Sequence, residues 1–271
     1  MKLLKILGLI CLVFISFFYT EKVISIAMEQ DEIMIKIKEF SKEHNINYQN
    51  AIIDNDLIIP GSTGKTVNIN ASYKAMKKIN SFSPTLIIYD KVYPEISIYN
   101  NYHKYIINGR TDNKNIALIY ILTNDKTLDN ILNIEEITNT KINFFIDSNF
   151  LNNNINIIEK IKENEIYNYG QMGKYTKDNL IITNNIINNK ANNKSIYCLF
   201  INKNQQSLNN CANNKMLSLY PKLNINLSNI KNNLQNGNLI LIENTMELKQ
   251  IIEYIKSKGY NIVSLSDIIN E

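Results

Sequence analysis

From Asn115 to its last residue, the chain alternates strand-length apolar segments with helix-length amphipathic segments. The apolar run IALIYIL is followed by LDNILNIEEI, and KINFFID is followed by FLNNNINIIEKIKEN, which has the spacing of a single helix. The same order returns in NLILIE, MELKQIIEYIKSKG and NIVSLSDIINE, where Gly259 fits a helix C-terminal cap. Continuous apolar strands between amphipathic helices predict an α/β fold in which helices cover a parallel sheet, either barrel-like or doubly wound.

The region before this alternation, residues 28–104, is predicted to form a small α+β unit and a junction. Its expected elements are a helix within residues 30–43, two brief strands within 51–60, a helix within 71–78 and a strand within 85–92. The sequence therefore predicts three regions, which are residues 1–27, 28–104 and 105–271.

The first 27 residues have the pattern of an export signal or membrane anchor. Lys2 and Lys5 precede the apolar stretch from Ile6 to Phe18, and polar residues follow it. This length fits the hydrophobic part of a signal peptide, either cleaved or retained as an anchor, and the positive end predicts that the rest of the chain lies outside. We therefore expect an extracytoplasmic protein, either anchored in the cell membrane or secreted. The Asn- and Ile-rich composition of the chain is typical of a Gram-positive-like, low-GC bacterium.

Charge and glycine patterns argue against two classes of partner. The formal net charge is +4, of which residues 1–27 contribute +2 (three Lys against one Glu), and no basic run with interleaved aromatic residues indicates a nucleic-acid surface. PGSTGKT, residues 60–66, lacks the first glycine of a phosphate loop, because Ile59 stands in its place. We interpret it as a glycine-rich turn and expect no nucleotide.

The cysteines and histidines lack the spacing of a metal site. Cys198 and Cys211 are 13 residues apart in the sequence, with no histidine near either. A disulfide in an oxidising compartment and two free buried thiols are both open for this pair. The two histidines, His44 and His103, are interpreted as ordinary surface or partly buried residues.

Several short segments resemble the NodB-like polysaccharide deacetylases, a carbohydrate esterase family, and they occur in that family's order. KINFFIDSNFL is similar to the family's KATFFVTGN strand and turn, EIYNYGQMG to its EIGNHSxxH segment, and NLILIENT with KGYNIVSLSDII to its last strand and closing segment. The resemblance covers roughly residues 105–271, and IIPGSTGKTVNINASY resembles an N-terminal extension of clostridial members. It implies a distorted (β/α) barrel of about seven strands.

The resemblance also implies a catalytic site, and this chain lacks its residues. In the family, one Asp of an acid pair acts as the base, and the other binds a divalent metal such as zinc together with two histidines. A later histidine protonates the leaving amine. The corresponding positions carry Ile121 and Leu122 for the acid pair, Tyr169 and Gly173 for the two histidines, and Glu243 for the later histidine. A shifted register reaches only Asn124 and Asp125. We therefore expect no bound metal cofactor and assign no catalytic residue.

These losses predict an inactive deacetylase-like protein that binds cell-wall glycan or an envelope partner. Tyr167, Tyr169 and Tyr175 cluster near the lost site and are candidates to stack on sugar rings, with ordinary packing as the alternative.

Two other functions stay open. One is an active hydrolase that deacetylates N-acetylated polysaccharide or peptidoglycan through a metal site rebuilt from Asn124, Asp125, Tyr169 and Glu243. The other is a structural or regulatory member of an envelope or sporulation complex, for which an exposed apolar patch is expected.

Overall fold

The computed structural model describes residues 12–13, 15–16, 18–20, 22–23, 26–224 and 226–271. It divides into two compact units. The smaller unit contains the described residues up to Tyr48 together with Thr63–Val92, and the larger unit contains Gln49–Ser62 and Tyr93–Glu271. The larger unit thus includes residues 49–62 and 93–104, which the sequence analysis assigns to the region 28–104.

The predicted signal or anchor, residues 1–27, lies largely outside the described residues. In the part of the chain that is described, no helix is both long enough and apolar enough to cross a membrane. The nature and the cleavage of this segment stay predictions.

The helices and strands follow one another along the chain as the alternation predicts. The strands are β1 (Ile52–Asp54), β2 (Leu57–Ile59), β3 (Gly64–Val67), β4 (Tyr89–Val92), β5 (Tyr105–Ile106), β6 (Asn115–Leu122), β7 (Asn143–Ile146), β8 (Ile166–Asn168), β9 (Tyr197–Leu199), β10 (Leu217–Leu219), β11 (Leu223–Asn224), β12 (Leu239–Ile242) and β13 (Asn261–Ile262). The helices are α1 (Glu32–His44), α2 (Ile69–Lys77), α3 (Leu128–Thr138), α4 (Ser148–Asn153), α5 (Ile157–Ile161), α6 (Lys177–Lys190), α7 (Gln205–Asn213), α8 (Leu227–Asn233), α9 (Leu248–Ser257) and α10 (Leu265–Ile269).

The smaller unit packs α1 and α2 around the antiparallel pair β3–β4. Its core consists of Ile33, Met34, Ile37, Val67, Tyr73 and Met76. The strand expected within residues 85–92 begins only at Tyr89, because Pro84 starts a short 3-10 helix. Gly64 begins β3, so the segment compared with a phosphate loop forms a strand there.

The larger unit contains two sheets. The first is entirely parallel, with strand order β11-β12-β6-β7-β8, and β13 also pairs with β6. The second has the order β1-β2-β5-β10-β9, in which only the β1–β2 pair is antiparallel. The predicted α/β class with a parallel sheet is therefore confirmed.

The two sheets of the larger unit do not close into a barrel over the described residues. At the β8 edge, two side chains take the place of a backbone ladder to β9. The Asn168 N–H donates to Ser195 Oγ at 3.1 Å, and the Ile166 N–H donates to Asn193 Oδ1 at 2.9 Å. The closed barrel that the resemblance implied is thus corrected to two separate sheets.

Strand β6 is the centre of the larger unit because both of its faces are covered. Ile116, Leu118 and Leu122 belong to a cluster with the helices, whereas Ala117 and Ile119 belong to a second cluster formed by residues of both sheets. Alternating side chains of a strand point to opposite faces, so a strand with two buried faces must be apolar throughout. This explains the continuous apolar run from which the strand was predicted.

The single helix expected after β7 is two short helices in the structure. Helix α4 ends at Asn153 and α5 begins at Ile157. The side-chain amides of Asn153 and Asn154 donate to the carbonyl oxygens of Asn149 and Phe150, at 3.0 and 2.9 Å. Asparagine competes in this way with regular helix bonding, which explains the interruption.

The cysteine pair forms a disulfide that connects β9 to α7. The Cα atoms of Cys198 and Cys211 are 6.5 Å apart, and both residues are fully buried. Of the two alternatives left open by the sequence, the structure therefore has the disulfide.

A buried carboxylate, Glu135, fastens the end of α3 to the start of β7. The Ile142 N–H donates to its Oε1 at 2.6 Å, and Asn164 Nδ2 donates to its Oε2 at 3.0 Å. Burial raises the pKa of the Glu135 carboxyl to about 7, although both hydrogen bonds act against the shift.

The raised pKa of Glu135 predicts that part of the stability is lost as the pH rises. The folded state holds this proton more tightly than the unfolded chain, where the ordinary pKa is 4.5. The contribution of the protonated carboxyl to the free energy of unfolding is therefore complete below pH 4.5 and lost by about pH 7. Urea unfolding between these two pH values measures how the free energy of unfolding declines with pH. We expect a shallower decline in the Glu135→Gln variant, because its side chain does not titrate. Glu253→Gln, at an exposed position of α9, is the control. An unchanged decline in Glu135→Gln contradicts the assignment.

Candidate functional site

The positions compared with the family's site lie at one edge of the six-stranded sheet. Ile121 and Leu122 end β6, Tyr169 follows β8, and Glu243 follows β12. Neighbouring parallel strands bring their carboxyl ends together, and this is the edge at which open α/β sheets bind ligands. The fold therefore preserves the location of the site.

The two acid-pair positions differ in what they face. Leu122 is fully buried in the cluster formed with the helices, whereas Ile121 is half-buried and packs against the cluster between the sheets. A carboxylate at position 122 would lie in an apolar core without a partner. The structure has thus incorporated one of these two positions into the core.

Tyr169 and Gly173 occupy the two histidine positions, and they pack against each other. Tyr169 is 5% exposed, and a Cβ atom placed on Gly173 would lie 3.2 Å from its hydroxyl oxygen. The backbone of Gly173 has φ +77°, in the left-handed region that favours glycine. A histidine at position 173 would therefore meet both a strained backbone and the phenol ring.

Asp147, which the sequence analysis did not single out, organises the loop beside Tyr169. Its Oδ1 accepts the N–H groups of Asn149 and Phe150, which makes it the N-cap of α4. Its Oδ2 accepts the N–H of Met172 at 2.7 Å. The side chain is 4% exposed and ties the turn containing Gly173 to α4. An Asp followed by Ser-Asn at the end of a strand is the N-cap signal that could have identified this role.

The environment keeps Tyr169 in its neutral form. Burial raises the pKa of its phenol, and the negative charge of Asp147 raises it further. Phenolate is the form of tyrosine that binds a metal strongly, and this environment disfavours it at Tyr169.

The remaining candidates from the sequence are exposed. Asn224 Nδ2 donates to Glu243 Oε1 at 3.0 Å, and Asn124 Oδ1 accepts the Lys126 N–H at 3.1 Å. The Asp125 carboxylate faces solvent. His44 lies on α1 in the smaller unit, and His103 is exposed shortly before β5.

These residues do not fit a divalent metal. The side chains of Ile121, Leu122 and Gly173 have no atom that could bind a metal. The phenol of Tyr169 is neutral, and Glu243 supplies one exposed carboxylate. Across the described ranges, no three His, Cys, Asp or Glu side chains are placed to hold a metal ion. Zinc is typically held by three or four such ligands.

The tyrosines expected to stack on sugar rings are buried. Tyr167 is 1% exposed, packs between aromatic rings of β7 and β9, and donates its hydroxyl to Glu165 at 2.6 Å. Tyr175 is also 1% exposed, and its hydroxyl donates to the Leu199 carbonyl at 3.1 Å. Covered rings cannot stack on a ligand, so this prediction is wrong for Tyr167 and Tyr175, which are packing residues. Tyr169, which is 5% exposed, lines a cavity.

Two cavities open beside the lost site. The first, of about 310 Å³, is lined by Tyr169, the segment 172–174 and the segment 201–204. The second, of about 450 Å³, is lined by Asp125, the segment 152–157 and Lys160. Both are formed by loops that follow strands of the parallel sheets, and both combine amide, charged and apolar groups.

Solved structures of carbohydrate esterase family 4 have a similar fold, in agreement with the resemblance of the sequence to NodB-like deacetylases. The chain is similar to BA3943 of Bacillus anthracis, a pseudoenzyme of this family, with a TM-score of 0.65 and 21% identity over 89% of this chain and 96% of that one. It is also similar to the Bc1960 peptidoglycan N-acetylglucosamine deacetylase, with a TM-score of 0.53 and 19% identity over 61% of this chain and 92% of that one.

Comparison of sequences adds one curated relative. The chain is 29% identical over 161 residues to the uncharacterized protein YlxY of Bacillus subtilis (strain 168), which is 56% of this chain and 50% of that protein. It thus spans about half the length of the relative that it matches. No protein-family model matches the chain.

The two acid-pair positions are expected to respond differently when the carboxylates are restored. Leu122→Asp places a charge in the core and should lower the free energy of unfolding by about 3–5 kcal/mol. Ile121→Asp, at a half-buried position, should cost clearly less. Urea unfolding of the two variants gives both values. Equal losses would contradict the assignment of Leu122 to the core.

Proposed function

We propose that this chain is a catalytically inactive, deacetylase-like protein that binds cell-wall glycan at the carboxyl edge of its parallel sheet. The observation that supports the loss of catalysis is the contact between Tyr169 and Gly173. The buried ring lies against the position from which a second histidine would reach a metal. Packing therefore replaces coordination at this point of the fold.

The chemistry of deacetylation explains why this replacement matters. Hydrolysis of an acetamide needs an activated water, a group that polarises the carbonyl, and an acid for the leaving amine. The side chains of Ile121, Leu122 and Gly173 can perform none of these roles. Glu243 is exposed, and its carboxylate accepts a hydrogen bond from Asn224. A hydrolase that uses a rebuilt metal site is accordingly the less favoured function.

Glycan binding needs only what the edge still contains. The loops around both cavities carry amide side chains, which donate to and accept from hydroxyl groups at the same time. The similar Bc1960 protein is a peptidoglycan N-acetylglucosamine deacetylase. A polymer of this kind is therefore the ligand that we propose here, with an envelope protein as the alternative partner and no cofactor.

The proposed place of action is outside the cytoplasm, either anchored in the membrane or secreted. The basic and apolar residues at the start of the sequence support it. The disulfide between Cys198 and Cys211 also supports it, since such bonds persist in oxidising compartments.

One experiment tests binding and catalysis together. The chain is incubated with insoluble, N-acetylated peptidoglycan and zinc, and both the bound protein and the released acetate are measured. We expect retention on the glycan, compared with an inert matrix, and no acetate above background. Acetate release that Asp125→Ala abolishes would establish an active hydrolase instead. Equal recovery from glycan and inert matrix would contradict glycan binding.

A further inference from the structure

The lining of the cavity of about 450 Å³ beside Asp125 includes none of the five positions compared with the family's catalytic residues. Asp125 belongs to the loop after β6, and the segment 152–157 with Lys160 belongs to α4, α5 and their connection after β7. Strands β6 and β7 are paired neighbours, so the two loops come from adjacent strand ends of the same sheet edge. We call this space the asparagine cavity.

The side chains of the asparagine cavity have unused hydrogen-bonding groups. Asn153 and Asn154 each use one amide hydrogen on the helix carbonyls, which leaves their side-chain oxygens free to accept. Asn152 and Asn156 make no side-chain hydrogen bond within the described part of the chain, and Asp125 has neither a side-chain hydrogen bond nor an ion pair there. Each free amide supplies a donor and an acceptor. A ligand that fits must therefore offer several groups that both donate and accept.

The charges of the cavity balance. Asp125 contributes one negative charge and Lys160 one positive charge, and Lys160 also lies 3.8 Å from the exposed Asp129. An anion would meet Asp125, and a cation would meet Lys160 with a single lining carboxylate to hold it. The lining thus favours an uncharged polar ligand over either ion.

Two isoleucines complete the lining, of which Ile157 is buried. Ile155 stands between the asparagines in the sequence and is 37% exposed. Pyranose rings present hydroxyl groups at their edges and C–H groups on their faces. Amides around an exposed isoleucine match both parts of such a ring.

We propose that the asparagine cavity is a binding subsite for an uncharged, N-acetylated sugar of a glycan chain. Asn152, Asn156 and Asp125 bind its hydroxyl and acetamido groups, and Ile155 contacts the face of its ring. This inference rests on the proposed function and deepens it, because it assigns glycan contact to one particular cavity. Binding here does not need the former metal site.

The test measures the affinity of the chain for a soluble pentamer of N-acetylglucosamine by titration calorimetry. Asn152→Ala and Asn156→Ala are expected to raise the Kd about fivefold each, the effect of one lost hydrogen bond. Both residues are exposed, and neither makes a side-chain bond that the fold needs. The matched controls, Asn185→Ala and Asn189→Ala, lie on exposed positions of α6 outside the cavity lining and should leave the Kd unchanged.

The outcomes separate this inference from the proposed function. If the pentamer binds and the cavity variants bind as tightly as the controls, the subsite is wrong while glycan binding stands. Failure to bind both the pentamer and insoluble peptidoglycan overturns both. Tighter binding of the deacetylated, cationic glucosamine pentamer overturns the assignment of an uncharged ligand.

Discussion

The structure of the larger unit depends on the burial of β6 on both faces. This strand pairs with β7, β12 and β13, and its side chains enter two different hydrophobic clusters. Its apolar run continues through Ile121 and Leu122 to the carboxyl end. A strand that ends in two carboxylates must keep that end polar and supported by a metal or by hydrogen bonds. Ile121 and Leu122 instead extend the core to the edge of the sheet.

In the loop after β8, packed side chains likewise occupy positions at which the family has metal ligands. Tyr169 fills the space beside Gly173, and Asp147 fixes the turn between them through its bond to the Met172 N–H. Asp147 is a buried carboxylate at the former site, yet its oxygens accept backbone N–H groups and its charge helps to keep the Tyr169 phenol neutral. The edge of the sheet is therefore held by packing and by hydrogen bonds to backbone N–H groups. What it retains are exposed amide and apolar groups in open cavities, which are suited to binding.

Much of the fold could be predicted from the sequence, because a continuous apolar run such as that of β6 indicates a strand that is buried on both faces. The location of the lost site also followed, since it depends on strand ends. Long-range features could not be read in the same way. The pairing of β2 with β5, which places residues 49–62 in the larger unit, leaves no local signal. Whether Tyr167 faces a groove or the core depends on its register with β7. A spacing of 13 residues does not determine whether Cys198 and Cys211 meet.

We expect the edge of the sheet to lack a metal site, and its affinity for zinc is the measurement that decides this. Calorimetric titration of the metal-free chain with zinc measures both the stoichiometry and the affinity. No saturable binding is expected at micromolar zinc, because no set of three ligands converges at the sheet edge within the described residues. Binding of one zinc per chain with micromolar or tighter affinity, lost in Asp125→Ala or Glu243→Ala, would contradict it and show that a metal site has been rebuilt.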